Sequence, residues 1–198
     1  MTTSEGAGNQ PPAESHSHDE ARDAAVAAYW ATARKRAGLN RLDVVVGQQP
    51  LGTVQPPAWS FGAGPEQADE LLALVLAGRK TATASAAEVY SEQGVAPPRP
   101  GDLSIVLDGA DRPRALIVTT AVEIVPFDEV DAEHAAAEGE GDLSLEHWQR
   151  VHREALGEEL AAHGLGFDGA TPVVLERFRL LDPKPRRGTA RVPEPITT

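Results

Sequence analysis

Residues 103–127, LSIVLDGADRPRALIVTTAVEIVPF, place the tightest limit on what this chain can fold into. Two runs rich in β-branched residues flank a DGADRP turn, and that pattern predicts an antiparallel hairpin. Its apolar faces need cover that a hairpin alone cannot give. Further strands are predicted at TATAS, residues 81–85, and at TPVVLERFRLL, residues 171–181, where Val173 and Leu175 alternate against Val174, Glu176 and Phe178. A short strand is also expected at Val44–Val46.

Helices are predicted between these strands. Val26, Tyr29, Trp30, Ala33 and Ala37 recur at helical spacing over Ala21–Ala37, and Gly38 follows. A second helix spans about Glu66–Ala77 after Pro65, with Leu71, Leu72, Val75 and Leu76 as its stripe and Gly78 at the left-handed C-cap position. A third is expected over Asp128–Glu138, stopped by Gly139, and a fourth from Ser144 with Leu145, Trp148, Val151, Ala155 and Leu156 on one face. Early, middle and late strands with helices between them predict an α+β fold, a small mixed β-barrel or strongly curled sheet flanked by helices. The predicted organisation is a polar tail at residues 1–19, one domain at 20–181, and a tail at 182–198 with four basic residues among four prolines.

Charge and composition narrow the function. Thirty acidic against 18 basic side chains give a formal charge of −12, which argues against a strong binder of duplex DNA. A small ligand or a short single-stranded RNA suits the acidity better. The absence of cysteine rules out disulfides, thiolate zinc sites and thiol catalysis. No apolar run reaches the ~20 residues of a membrane span, and the N-terminus has no secretory pattern. A cytoplasmic protein acting without metal or cofactor is the expectation; oligomeric state is not encoded legibly.

Candidate chemistry gathers at two element ends. After Gly78 come Lys80, Thr81, Thr83 and Ser85, separated by alanines from Ala82 on. A strand here puts the three hydroxyls on one face. A plainer alternative is a lysine complementing the helix dipole beside threonines that favour strands. The second end is AEHAAAEGEGD, residues 132–142, with Glu138, Glu140 and Asp142 close together. Crowded acids raise one another's pKa, which keeps a carboxyl protonated for proton donation. The same run also reads as a hard-cation loop, as a loop whose Asp142 or Ser144 caps the next helix, or as the acid partner of a distant lysine. Lysine as base, threonine as nucleophile and glutamic acid as donor form a metal-free hydrolytic set. His16 and His18 lie in the predicted tail. His147 and His152, five apart, make a poor metal pair, and His134 precedes Glu138 by four. Trp59 and Phe61 are placed to stack a base or to pack a hairpin end.

The segments WSFG, ADELLALVLAGRKTATAS, PGDLSIVLDG, VEIVPFDEVDAEHAAAEGEGDLSLEHWQRVH and VVLERFRLL, in that order within Trp30–Leu181, resemble the ASCH domain family. The resemblance implies a PUA-like β-barrel flanked by helices and an association with RNA and modified nucleosides. A short branch comprises N4-acetylcytidine amidohydrolases, in which the lysine of a G-[RK]-K-T-x-T motif is the proton acceptor. Its second threonine is the nucleophile, and a glutamate after a His-Ala stretch is the donor. Carried over, these roles fall on Lys80, Thr83 and Glu138. Trp59, Phe61, Thr81, Ser85, Glu140, Asp142 and Ser144 are the implied substrate-binding set. Ser85 stands where the short branch has arginine. The N-terminal helix and the Glu140, Asp142 pair resemble a longer bacterial branch, some of whose members are described as ribonucleases. Lys80 and Thr83, three apart, point to opposite faces of a regular strand, so the assignment requires a bend or bulge at Lys80.

Overall fold

The predicted hairpin forms the middle of a five-stranded sheet in a computed structural model that describes residues 13–39 and 54–184. β3 (Leu103–Leu107) runs antiparallel to β4 (Pro113–Pro126). Asp108 fixes the turn: its carboxylate accepts the backbone N–H groups of Ala110 and Arg112, both at 3.0 Å. β5 (Pro172–Asp182) lies antiparallel to β4, and β2 (Ala82–Ala86) lies antiparallel to β5. β1 (Ala58–Trp59) pairs in parallel with β3, giving the order β1-β3-β4-β5-β2. The class is α+β with a mostly antiparallel sheet. Closure into the expected barrel is not made: among the described residues, β1 and β2 remain unpaired edges.

Three helical layers cover the sheet. α1 (Ala13–Arg36) buries Val26, Trp30 and Ala33 against Leu103, Ile105, Leu107 and Leu116. α2 (Pro65–Leu76) buries Leu71, Leu72 and Val75 against Val106, Ile117, Phe178 and Leu180, at about 1.5–3 kcal/mol per fully buried side chain. α5 (Leu145–Ala162) packs Trp148, Leu156 and Leu160 on Phe127, Val173 and Leu175. The period of two in β5 thus sends Val173 and Leu175 toward α5, and Glu176, Phe178 and Leu180 toward the α2 side.

Several boundaries differ from the sequence expectation. α1 begins at Ala13, inside the segment assigned to the N-terminal tail. Asp182, assigned to the C-terminal tail, ends β5 opposite Leu116 and is anchored by Arg36 at 3.2 Å. The helix expected over Asp128–Glu138 is split into a single 3-10 turn at Phe127–Glu129 and α4 (Ala132–Glu138). Asp131 restarts the helix by capping the His134 N–H at 2.7 Å. The six-residue α3 (Ala87–Glu92) was not expected. Residues 1–12, the Val44–Val46 strand and the tail beyond Lys184 lie outside the described residues.

Candidate active site

Backbone geometry brings the two predicted element ends together. α2 ends with Gly78 at φ +72°, and the N–H groups of Arg79 and Lys80 both bond to the Leu74 carbonyl, at 2.9 and 3.2 Å. Lys80 therefore belongs to the helix cap, and the strand starts only at Ala82. This supplies the bend that frees the lysine from strand alternation. On the other side, the Thr81 N–H donates to the Ala137 carbonyl at 2.8 Å, stitching the start of β2 to the last turn of α4. Gly139 ends α4 at φ +76°, and a Cβ there would stand 2.5 Å from the Arg79 carbonyl oxygen. Both facts demand glycine. Gly139→Ala is expected to cost about 2–4 kcal/mol from left-handed strain and overpacking, measured by urea denaturation; a loss under about 0.5 kcal/mol would mean that the close approach is not needed.

Lys80 reaches from this seam into a buried polar cluster. Its Nζ donates to Glu138 Oε2 at 2.8 Å and to Glu140 Oε1 at 2.6 Å. The Lys80 and Glu138 side chains are each 1% exposed, whereas Glu140 is 21% exposed. Behind the pair, Glu138 Oε1 accepts from Trp148 Nε1 at 2.8 Å and lies 3.2 Å from His134 Nε2 and 3.4 Å from His152 Nε2. His152 stacks on Trp148 with centroids 4.1 Å apart. The Lys80 ammonium also sits 5.3 Å from the centre of the Phe61 ring. Phe61 follows β1 and Lys80 precedes β2, so this contact spans the open seam of the sheet.

The expectation that crowding keeps Glu138 protonated is overturned. Burial does push its carboxyl up, but the Lys80 ammonium and hydrogen bonds from His134 and His152 outweigh it and hold the pKa well below the carboxylate range. The acids crowd around a cation and not around one another. Asp142 is also lowered, by hydrogen bonds from the Ser144 hydroxyl and N–H, and Ser144 in turn caps α5 by accepting the His147 N–H at 3.1 Å. Asp142 and Ser144 thus form the capped loop, one of the alternatives read from the sequence. Among the described residues, no group of three or more His, Asp or Glu side chains is arranged to hold a metal ion.

The remaining candidates lie outside the Lys80–Glu138 pair. Thr81 Oγ1 donates to the Ala137 carbonyl at 3.2 Å. Thr83 is half-buried and bonds through its side chain to neither Lys80 nor Glu138. Its partner across the β2–β5 ladder is Glu176. Ser85 lies 3.0 Å from the Tyr90 hydroxyl. Phe61 is only 5% exposed and packs edge-on to half-buried Trp59 at 4.7 Å, so it serves the core and the floor of Lys80. A cavity of about 10 Å³ touches Glu140, Trp148 and His152. A larger one of about 300 Å³, lined by Glu129, Asp131, Leu175 and Arg177, meets the cluster only through His134.

Sequence reasoning placed His134 near Glu138 by its spacing of four, but it weighed His152 only as a poor metal partner of His147, although its equal spacing from Trp148 carried the same signal. Glu176 was also missed. A lone acid on the inward face of VVLERFRLL was its signal.

The model of the ASCH domain family matches residues 57–182. The chain is similar to the crystal structure of an ASCH domain from Lactobacillus crispatus JV V101, with 29% identity and a TM-score of 0.62 over 74% of this chain and 94% of that one. It is also similar to a crystal structure of a protein from Enterococcus faecalis V583, with 32% identity and a TM-score of 0.63 over 80% of this chain and 96% of that one. Comparison with curated proteins finds no match. No helix among the described residues is long and apolar enough to cross a membrane. The family match spans the Phe61 side of the seam, the Lys80 cap, the α4 terminus and β5 as one continuous segment, and the chain belongs to the ASCH domain family.

Proposed function

We propose that the chain is a metal-independent hydrolase of a modified nucleoside, cleaving an N4-acylcytidine-type amide with Lys80, Thr83 and Glu138. The observation that carries this reading is the buried Lys80 ammonium held at 2.8 and 2.6 Å by two carboxylates, beside the strand that bears Thr83. Fixing a long, charged side chain out of water costs rotamer entropy and desolvation, a cost active sites commonly carry for positioning. At rest the pair is ammonium and carboxylate. One proton crossing the 2.8 Å bond converts it into amine and carboxylic acid, the base and donor the reaction needs. Glu140 is the more exposed partner, and a substrate that displaces it removes one of the two charges holding the proton on Lys80.

In this reading the amine takes the Thr83 proton as Oγ1 bonds to the acyl carbon. Glutamic acid 138 returns its proton to the N4 amino group as the C–N bond breaks. Water then cleaves the acyl-threonine ester, and the lysine and glutamate end charged as they began. The second reading, an RNA-binding module with ribonuclease activity, has less support: the Lys80 charge is already spent on two carboxylates, leaving little to hold a phosphate.

The test is incubation of the purified protein with N4-acetylcytidine and, separately, with single-stranded RNA. Deacetylation is expected, reduced about 10²-fold or more in Lys80→Ala and in Thr83→Ala. RNA cleavage without deacetylation would replace this reading with the second. Full deacetylation by Thr83→Ala would remove threonine as nucleophile.

A further inference from the structure

The hydroxyl face of β2 meets a second buried acid that the Lys80 cluster does not use. Glu176 is the cross-strand partner of Thr83 and is 8% exposed. Directly opposed residues share one sheet face, with Cβ atoms about 4.5–5.5 Å apart. Thr119, 3% exposed, donates its hydroxyl to Glu176 Oε1 at 2.6 Å. Among the described residues no hydrogen bond is made to Oε2. Two positions along β2, Ser85 pairs with the Tyr90 hydroxyl, and Tyr90 lies within electrostatic reach of Glu176. One hydroxyl, that of Thr119, is bonded to the acid, and those of Thr83, Ser85 and Tyr90 lie along the neighbouring strand and helix start.

The contrast with Glu138 is informative. Glu138 is compensated by an ammonium, an indole and two imidazoles. Glu176 has no cation bonded to it among the described residues, and burial and the nearby Asp102 push its carboxyl up, against the hydrogen bond from Thr119. Burial thus favours the protonated form of this carboxyl, and that form carries a donor beside an acceptor. That pair complements a nucleobase edge in which a ring nitrogen acceptor adjoins an N–H donor, while Asp102 would repel a phosphate at the same place.

We propose that Glu176, positioned by Thr119 and flanked by Ser85 and Tyr90, is a binding subsite for the donor–acceptor edge of an uncharged pyrimidine nucleoside. This takes its ligand class from the hydrolase reading and places the base on the Thr83 face. Such a placement brings the N4 substituent to Thr83, on the strand that Lys80 directly precedes.

The experiment is a nuclear magnetic resonance titration of the full chain with cytidine, cytidine 5′-monophosphate and uridine. Cytidine is expected to shift backbone signals of β2 and β5, with the monophosphate, and uridine with its ring N–H in place of the acceptor, binding more weakly. Glu176→Ala should weaken cytidine binding about tenfold or more. Glu176→Gln, which keeps shape and a donor, should lose less. Tyr90→Phe and Thr119→Val keep the test open should Glu176→Ala fold poorly, and each should weaken binding several-fold. Cytidine binding through Glu176 without turnover of N4-acetylcytidine would sink the hydrolase reading and keep the subsite. Turnover with an unchanged KM and cytidine Kd in Glu176→Ala, or no shift in β2 and β5 at millimolar cytidine, would sink the subsite.

Discussion

Lys80→Met is expected to lower the free energy of unfolding by about 3–5 kcal/mol at neutral pH, because it leaves a carboxylate buried without its ammonium. The methionine fills most of the volume, so the loss reports charge and not cavity. pH dependence identifies the cause. In the wild type the folded Glu138 pKa is depressed below its ordinary 4.5, so its contribution is present above about that pH and is lost as pH falls through the folded value. In the variant the principal opposing charge is gone, burial dominates, and the sign reverses. The deficit against wild type should therefore begin to shrink above pH 4.5, where the raised carboxyl of the variant takes up its proton, and shrink further below it as the wild type loses its own contribution. Adding Glu138→Gln to Lys80→Met should recover most of the loss, since removing both members of a buried pair is often near neutral. Urea denaturation across pH measures all three. A Lys80→Met loss below about 1 kcal/mol would mean that His134 and His152 alone compensate Glu138, and that the lysine is not what holds the cluster.

How much of this was legible before the structure depends on where each signal resides. The hairpin was readable because β-propensity and turn chemistry are local: LSIVL and RALIVTT are rich in Ile, Val and Thr, and Asp108 closes the turn within four residues. α3 was not readable. AEVYSE is a single short helix whose cap residue, Ala86, offers no side-chain hydrogen bond. Asp182 was read as tail because of the Pro183 and Pro185 signals beside it, while the evidence for its burial, Arg36 and Tyr29, is far away in sequence. At the site, Lys80 and Glu138 were each visible as charged groups at element ends, and the resemblance paired them across 58 residues. Their electrostatics were not visible. Whether three clustered acids raise or lower one another depends on where the nearest cation lies, and here Lys80 Nζ stands between Glu138 and Glu140. Glu176 opposite Thr83 was hidden for a similar reason, since strand register is a tertiary fact.

Trp148 ties the core to the chemistry, and its truncation should have an effect as large as the loss of Lys80. Trp148→Ala is expected to cost about 3–5 kcal/mol, the range for an aromatic-to-alanine change in a core. The indole is 3% exposed and stacks on Phe127 at 5.3 Å and on His152 at 4.1 Å. Its Nε1 also donates to Glu138 Oε1 at 2.8 Å. Trp148→Phe separates these roles: it keeps much of the stacking and deletes only the donor, for an expected loss of about 1.5–3 kcal/mol, the worth of a hydrogen bond to a charged group. Losing that donor also weakens the hold on the Glu138 carboxylate and brings its folded pKa nearer to 4.5, so the phenylalanine variant should lose less stability than wild type on acidification and its deficit should narrow below about pH 4.5. Denaturation curves for both variants between neutral and acidic pH decide the matter. Equal losses would assign nearly all of the tryptophan's contribution to its N–H; no loss in Trp148→Phe would make the indole a packing residue only. The expected ordering, with alanine worst and phenylalanine intermediate and pH-sensitive, would show that the α5 core and the Lys80 ion pair are stabilised through one shared side chain.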